Sequence, residues 1–218
     1  MKAHCSRQRN QAMTLFEAVI VILVIGFLVL MLIPALRPAR IGNNYPNCHS
    51  NLRQTWLACN IWAGDNNGKY PMEISITNGG AMEYADSGNS AAIFQVMSNE
   101  LSTPKILICR SDNQHIATTN FSKDFNGKNI SYFVGVDTAK DSPQTILFGD
   151  ANLEYRGNLI KSGLHLISTN LMYTWTTNRH GHAGNIVLAD GSVHSIKNHD
   201  FTNQIIESKI VLRRLVIP

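Results

Sequence analysis

Ala12-Met13-Thr14-Leu15-Phe16-Glu17, followed by an uncharged run from Ala18 to Leu36, sets the terms for the rest of the sequence. At ~1.5 Å rise per residue the run predicts a helix of roughly 28 Å, the thickness of a bilayer core. Glu17 stands at its edge, where a carboxylate in lipid needs a partner. A cut before Met13 would create an α-amino group four residues from Glu17, a cation suited to that role. A cleaved secretory signal fits less well, because the apolar region is too long and no Ala-x-Ala-like site follows it.

Working outward, residues 1–12 carry Lys2, Arg7 and Arg9 and no acid, as a basic leader would. The formal charge of the whole chain is +4, and removal of that leader leaves about +1. A nucleic-acid-binding role, which calls for a clustered basic face, is therefore disfavoured. Arg37 and Arg40 follow the apolar run, so charge alone does not orient it. The 218 residues hold one such segment and one moderate globular domain.

Pro34 is expected to bend the first helix by removing an amide and crowding the preceding turn. Gly42-Asn43-Asn44-Tyr45-Pro46 breaks it. A second helix is predicted from Asn47 to Ala63, with Cys48, Leu52, Thr55, Cys59 and Trp62 on one core-facing stripe. Asp65-Asn66-Asn67-Gly68 stops it. That segment is only superficially a calcium loop, since Lys69 takes an alternate position and no distal Glu completes the pattern.

Residues 72–90 are expected to form a loop, and Ala91–Leu101 a short helix capped by Ser90. Strands are predicted at Lys105–Cys109, Ser131–Val136 and Thr145–Phe148, and Leu164–Trp175 is β-prone. Asn185–Ala189 and Ser192–Ile196 flank Asp190-Gly191, which predicts a hairpin with a two-residue turn and Ile186, Leu188 and Val193 on one face. Phe201–Arg214 adds a short helix and an extended tail. The fold class is α+β, a long N-terminal transmembrane helix followed by a domain on an antiparallel sheet.

Of the four cysteines, Cys5 belongs to the leader. Cys48 and Cys59 would lie about 16 Å apart along one helix and cannot bridge. Cys109 is left to pair with either, Cys48 being preferred, and buried free thiols are the alternative. His180, His182 and His194, with Asp190, are candidate metal ligands, but their spacing fits no closed zinc signature and the turn accounts for Asp190. No nucleophile elbow, Walker loop, dinucleotide fingerprint or His-Glu-x-x-His occurs, so the sequence carries no enzyme signal.

The Ala12–Glu17 segment resembles the prepilin signature of type IV pilins and type II secretion pseudopilins, in which a peptidase cuts before a stretch such as F-T-L-I-E. The phrase Cys48-His49-Ser50-Asn51-Leu52-Arg53-Gln54, continuing through Trp62-Ala63-Gly64-Asp65-Asn66-Asn67-Gly68 to Pro71, is similar to prepilin-like proteins of planctomycete and verrucomicrobial lineages. His180, nine residues, then Asp190-Gly191 resembles a C-terminal segment of the same group.

The resemblance implies a cleavable leader 1–12, a transmembrane helix 13–36, a hinge 37–46 and a periplasmic α+β domain 47–218. It implies cleavage between Ala12 and Met13, methylation of Met13, subunit registration by Glu17 and a kink at Pro34. Ala12 stands where the family has glycine. The implied partners are the prepilin peptidase/methyltransferase, other pilin-like subunits and inner-membrane lipid, with no nucleic acid, cofactor or catalytic residue. The implied role is structural, in a type II secretion pseudopilus or type IV pilus-like filament. The alternatives are a signal-anchored periplasmic enzyme or metal-binding protein, and a surface-displayed binding module.

Overall fold

The computed structural model describes residues 15–32, 45–122, 124–168, 171–197, 201–207 and 211–218. Ala12, Met13, Pro34 and the linker up to Asn44 lie outside the described residues. The chain divides into two compact units, Met1–Gly42 and Asn43–Pro218.

In the first unit, α1 spans Leu15–Leu32 and carries Glu17 in its first turn. This corrects the expected transmembrane helix over 13–36. Among the described residues, no helix is long and apolar enough to cross a membrane. The physical reason is reach, because the uncharged part of α1, Ala18–Leu32, covers only about 22 Å at ~1.5 Å per residue. A bilayer core is ~30 Å thick. The helix is nevertheless apolar on every side, with Leu15, Leu23 and Leu30 exposed alike.

The second unit opens on α2 (Tyr45–Asp65), which starts two residues earlier than predicted. Pro46, read as part of the breaker, sits in its first turn, where a missing amide costs no helical hydrogen bond. The Cys48, Leu52, Thr55, Cys59 and Trp62 stripe is buried as the periodicity requires. Asn66 and Gly68 close the helix by donating back to the Ala63 carbonyl.

Residues 72–90 are less of a loop than expected, and the helix expected over Ala91–Leu101 is two short ones. Short 3-10 turns at Pro71–Glu73 and Ile76–Asn78 lead to α3 (Met82–Asp86), α4 (Ser90–Val96) and α5 (Ser98–Leu101). Asn89, not Ser90, caps α4, its side chain accepting from the Ala92 amide. The expected strand at Lys105–Cys109 is a 3-10 turn, Pro104–Leu107. Pro104 at its first position and the Thr103 side chain accepting from the Lys105 amide favour a helical turn over a strand.

Among the described residues nine strands follow: β1 (Tyr132–Gly135), β2 (Ile146–Asp150), β3 (Leu153–Tyr155), β4 (Asn158–Leu159), β5 (Gly163–Leu166), β6 (Tyr173–Trp175), β7 (Ala183–Leu188), β8 (Val193–Lys197) and β9 (Arg214–Ile217). They form a six-stranded sheet in the order β5-β9-β1-β2-β7-β8 and a three-stranded sheet, β4-β3-β6, with every ladder antiparallel. The α+β class and antiparallel sheet match the expectation.

Strands β1, β2 and β7 are buried along their whole length, so the large sheet has a core on each face. On one face, Val134, Phe148 and Val187 pack with Leu52, Cys59 and Phe94. On the other, Phe133, Ile186 and Leu188 pack with Trp175 of the small sheet and Phe201 of α6 (Phe201–Glu207). The hairpin prediction is corrected accordingly: Ile186 and Leu188 share the second face, while Val193, opposite Val187, belongs to the first.

Gly184 of β7 is where this second core comes closest to the backbone. A Cβ there would sit 2.5 Å from the Trp175 ring, which is itself fully buried and meets Phe201 edge-on at 5.0 Å. Gly184→Ala is therefore expected to lower unfolding stability by about 1–3 kcal/mol in urea titrations, with an unchanged m-value. A loss below about 0.5 kcal/mol would show that the ring has room to move.

Candidate functional site

Three segments far apart in sequence meet at one end of α2. Its first turn supplies Cys48, the residues after the Pro104 turn supply Cys109, and the turn before β7 supplies His180. Cys48 and Cys109 are fully buried free thiols with their sulfurs 2.7 Å apart. His180 Nε2 lies 3.2 Å from Cys109 Sγ, and its side chain is only 1% exposed. The expected partnership of Cys48 with Cys109 is thus a contact here, while Cys59 sits elsewhere on α2 in the core.

His180 is directed inward by unusual backbone. His180, Gly181 and His182 have φ of 51°, 60° and 62°, three successive residues in the left-handed region. For the two histidines that conformation costs roughly 1 kcal/mol each, which surrounding contacts must offset.

Behind His180 lies Asp150 of β2, fully buried, with Oδ2 3.6 Å from His180 Nε2. Oδ2 accepts from the Asn185 backbone amide at 2.7 Å and the Asn185 side chain at 2.9 Å. The Asn185 side-chain oxygen in turn accepts from Ser195, which also meets His49. Asp150 Oδ1 has no hydrogen-bond partner.

Burial pushes the Asp150 carboxyl up to about 6, against the opposing pull of His180. The Cys109 thiol, hydrogen-bonding to its neighbour, holds Cys48 below the usual thiol range despite burial, and His180 adds to the effect. Cys109 is correspondingly pushed up. For His180, burial pulls down while Cys48 and Asp150 push up, and the net direction is up.

Next to this centre a second buried group is already balanced. Asp112 pairs with Arg179, accepts from Ser131 Oγ at 2.6 Å and meets His115 Nδ1 at 2.7 Å. Arg179 also donates to the Ser131 carbonyl at 2.7 Å. Burial alone would raise Asp112, but His115, Arg179 and Ser131 outweigh it and hold the carboxyl well below the ordinary range.

At the other end of β7, the Asp190-Gly191 turn is gripped by α2. Arg53 donates to the Gly191 carbonyl at 2.5 Å, and Trp56 and Tyr70 donate to the Ala189 carbonyl at 2.9 and 3.2 Å. Gly191 has φ +82°, and a Cβ there would lie 2.7 Å from the Trp56 ring. The loop holds three residues rather than two: Leu188 pairs with Ser192, and Gly191 donates back to Leu188. Gly191 then supplies the left-handed residue that such a loop requires.

The structure does not gather the three histidines singled out from sequence. His194 is exposed on β8 beside Ser192. Asp190 is a turn former bonded to the Ser192 amide and hydroxyl. Among the described residues, the convergent metal-ligating set is Cys48, Cys109 and His180. Asp112 and Arg179 had no role in the sequence reading, and Asn185 entered it only as the start of a hairpin strand. Glu17 lies on the exposed surface of α1. Comparison with family models, curated proteins and solved structures found no match.

Asp112 offers a pH test with a defined sign. Its folded carboxyl is depressed, so its stabilisation is present above the unfolded value of ~3.9 and is lost as pH falls below it. Asp112→Asn is expected to cost about 3 kcal/mol at neutral pH by leaving Arg179 without its counter-charge. The gap from the parent protein should narrow at pH 3 in denaturant titrations. A gap of equal size at both pH values would show that the ionised carboxylate is not what matters.

Proposed function

We propose that this chain is a prepilin-like assembly subunit. The leader 1–12 is removed before Met13 by a prepilin peptidase/methyltransferase, and the new amino group is methylated. Copies then associate through α1 into a type II secretion pseudopilus or a type IV pilus-like filament, with the second unit on the periplasmic side. No catalysis is assigned to the subunit.

The observation that supports this reading is the surface of α1. Its large side chains are exposed around the whole circumference, from Phe16 at 73% to Leu23 at 67% and Met31 at 62%, and Glu17 is its one charged residue. A helix apolar on all sides requires cover from other apolar surface. Copies of the same helix supply it, and the cleaved amino terminus of one copy suits the Glu17 carboxylate of the next.

Intact mass of the protein recovered from cells provides the first test. The expected N-terminus is N-methyl-Met13, and a chain that retains Met1 would overturn the proposal. Glu17→Ala should be processed normally yet disappear from sheared filament fractions, whereas unchanged incorporation would count against the pairing.

A further inference from the structure

We propose that Cys48, Cys109 and His180 form a binding site for a thiophilic cation, of which zinc is the type, with the buried Asp150 carboxylate behind His180. The inference concerns the second unit alone and stands or falls independently of processing or assembly.

Three observations carry it. The ligating atoms of Cys48, Cys109 and His180 all lie within 4.8 Å of one another, and all three side chains are buried. A tetrahedral zinc with Zn–S of ~2.3 Å and Zn–N of ~2.0 Å places neighbouring donors roughly 3.3–3.8 Å apart, so the set closes on a cation when the two sulfurs separate by about 1 Å. His180 is held with its ring nitrogen facing this point by three left-handed residues in succession. Asp150, fully buried beside His180, has one oxygen bonded to Asn185 and the other without a partner. A fully buried carboxylate oxygen with no donor marks the place of an ion or water.

Charge points the same way. The nearby buried cation, Arg179, is committed to Asp112. Two thiols and a carboxylate share the remaining space with one imidazole. A divalent cation displaces the thiol protons and neutralises the resulting thiolates, so binding releases protons and stabilises the fold. The mixed sulfur and imidazole donors select zinc or a similar soft ion over calcium or magnesium, which take all-oxygen sets.

Oxidation to a disulfide is the competing fate of the same two sulfurs. It would join Cys48 and Cys109 and leave His180, which faces Cys109 Sγ at 3.2 Å, outside the bond.

The test uses the full chain, reduced, freed of metal and titrated with Co²⁺ as the spectroscopic stand-in for zinc. The expected result is one equivalent bound per chain, with thiolate-to-cobalt charge transfer in the near ultraviolet and the visible bands of a tetrahedral ion. Zinc should displace it and raise the melting temperature. Cys109→Ser and His180→Ala should lose the charge-transfer band or shift it, while Cys59→Ser, in the same helix but outside the site, should keep it. The proposal is overturned if the reduced wild-type chain binds no stoichiometric Co²⁺. It is equally overturned if Cys59→Ser abolishes the band while Cys109→Ser retains it. Because the wild-type titration decides by itself, a variant that fails to fold leaves the outcome readable.

Discussion

Burial of β7 on both faces is the constraint on which the rest of the second unit depends. Ala183–Leu188 has no solvent-facing side. A strand of that kind needs apolar cover above and below as well as ladder partners at both edges. β2 and β8 supply the ladders. α2 covers one face, and the small sheet with α6 covers the other. Substituting either layer would expose a strand that has no polar residue positions to fall back on except Asn185, and Asn185 is already tied to Asp150.

The spacing from His180 to Asp190-Gly191 acquires a physical meaning from this arrangement. It measures one buried strand plus the turn at each end. α2 lies along that strand and engages both turns, through Cys48 near its start and through Arg53 and Trp56 in its middle. The two sequence phrases noted separately, one opening α2 and the other spanning β7, are therefore the two sides of a single contact. Fixing both ends of the strand to one rigid helix sets its register against β8, where a one-residue slip would turn Ile186 and Leu188 to the wrong core.

How much of this was legible in the sequence follows from how local each signal is. The α2 stripe and the β7–β8 hairpin are local periodicities, and they were readable to within a residue or two. The Pro104 turn was misread as a strand because Ile106, Leu107 and Ile108 look β-prone. Proline and the Thr103 cap decide that case through hydrogen bonds that composition does not display. The length of α1 was overestimated because lack of charge shows where a helix is permitted, not where it stops. Helix geometry excluded only a Cys48–Cys59 bridge, so Cys109 kept two candidate partners, of which Cys48 was preferred. Joining His180 to them required knowing that the His180–His182 backbone turns left-handed, which no period or composition signals. Asp150 was hidden for a related reason: acids at strand ends ordinarily read as turn formers, and only the sheet buries this one.

The division of labour between the two units follows from where the cores draw their residues. The members of both apolar clusters run from Cys48 onward, within the second unit. The second unit holds two covered sheet faces, a neutralised Asp112–Arg179 pair and a closed hairpin. An 18-residue helix with a fully apolar circumference, alone in water, would be both marginal and prone to association. Its one charged residue is Glu17, in its first turn. The Cys48–Cys109–His180 centre lies wholly within the second unit, where it joins α2, the segment after the Pro104 turn and the turn before β7.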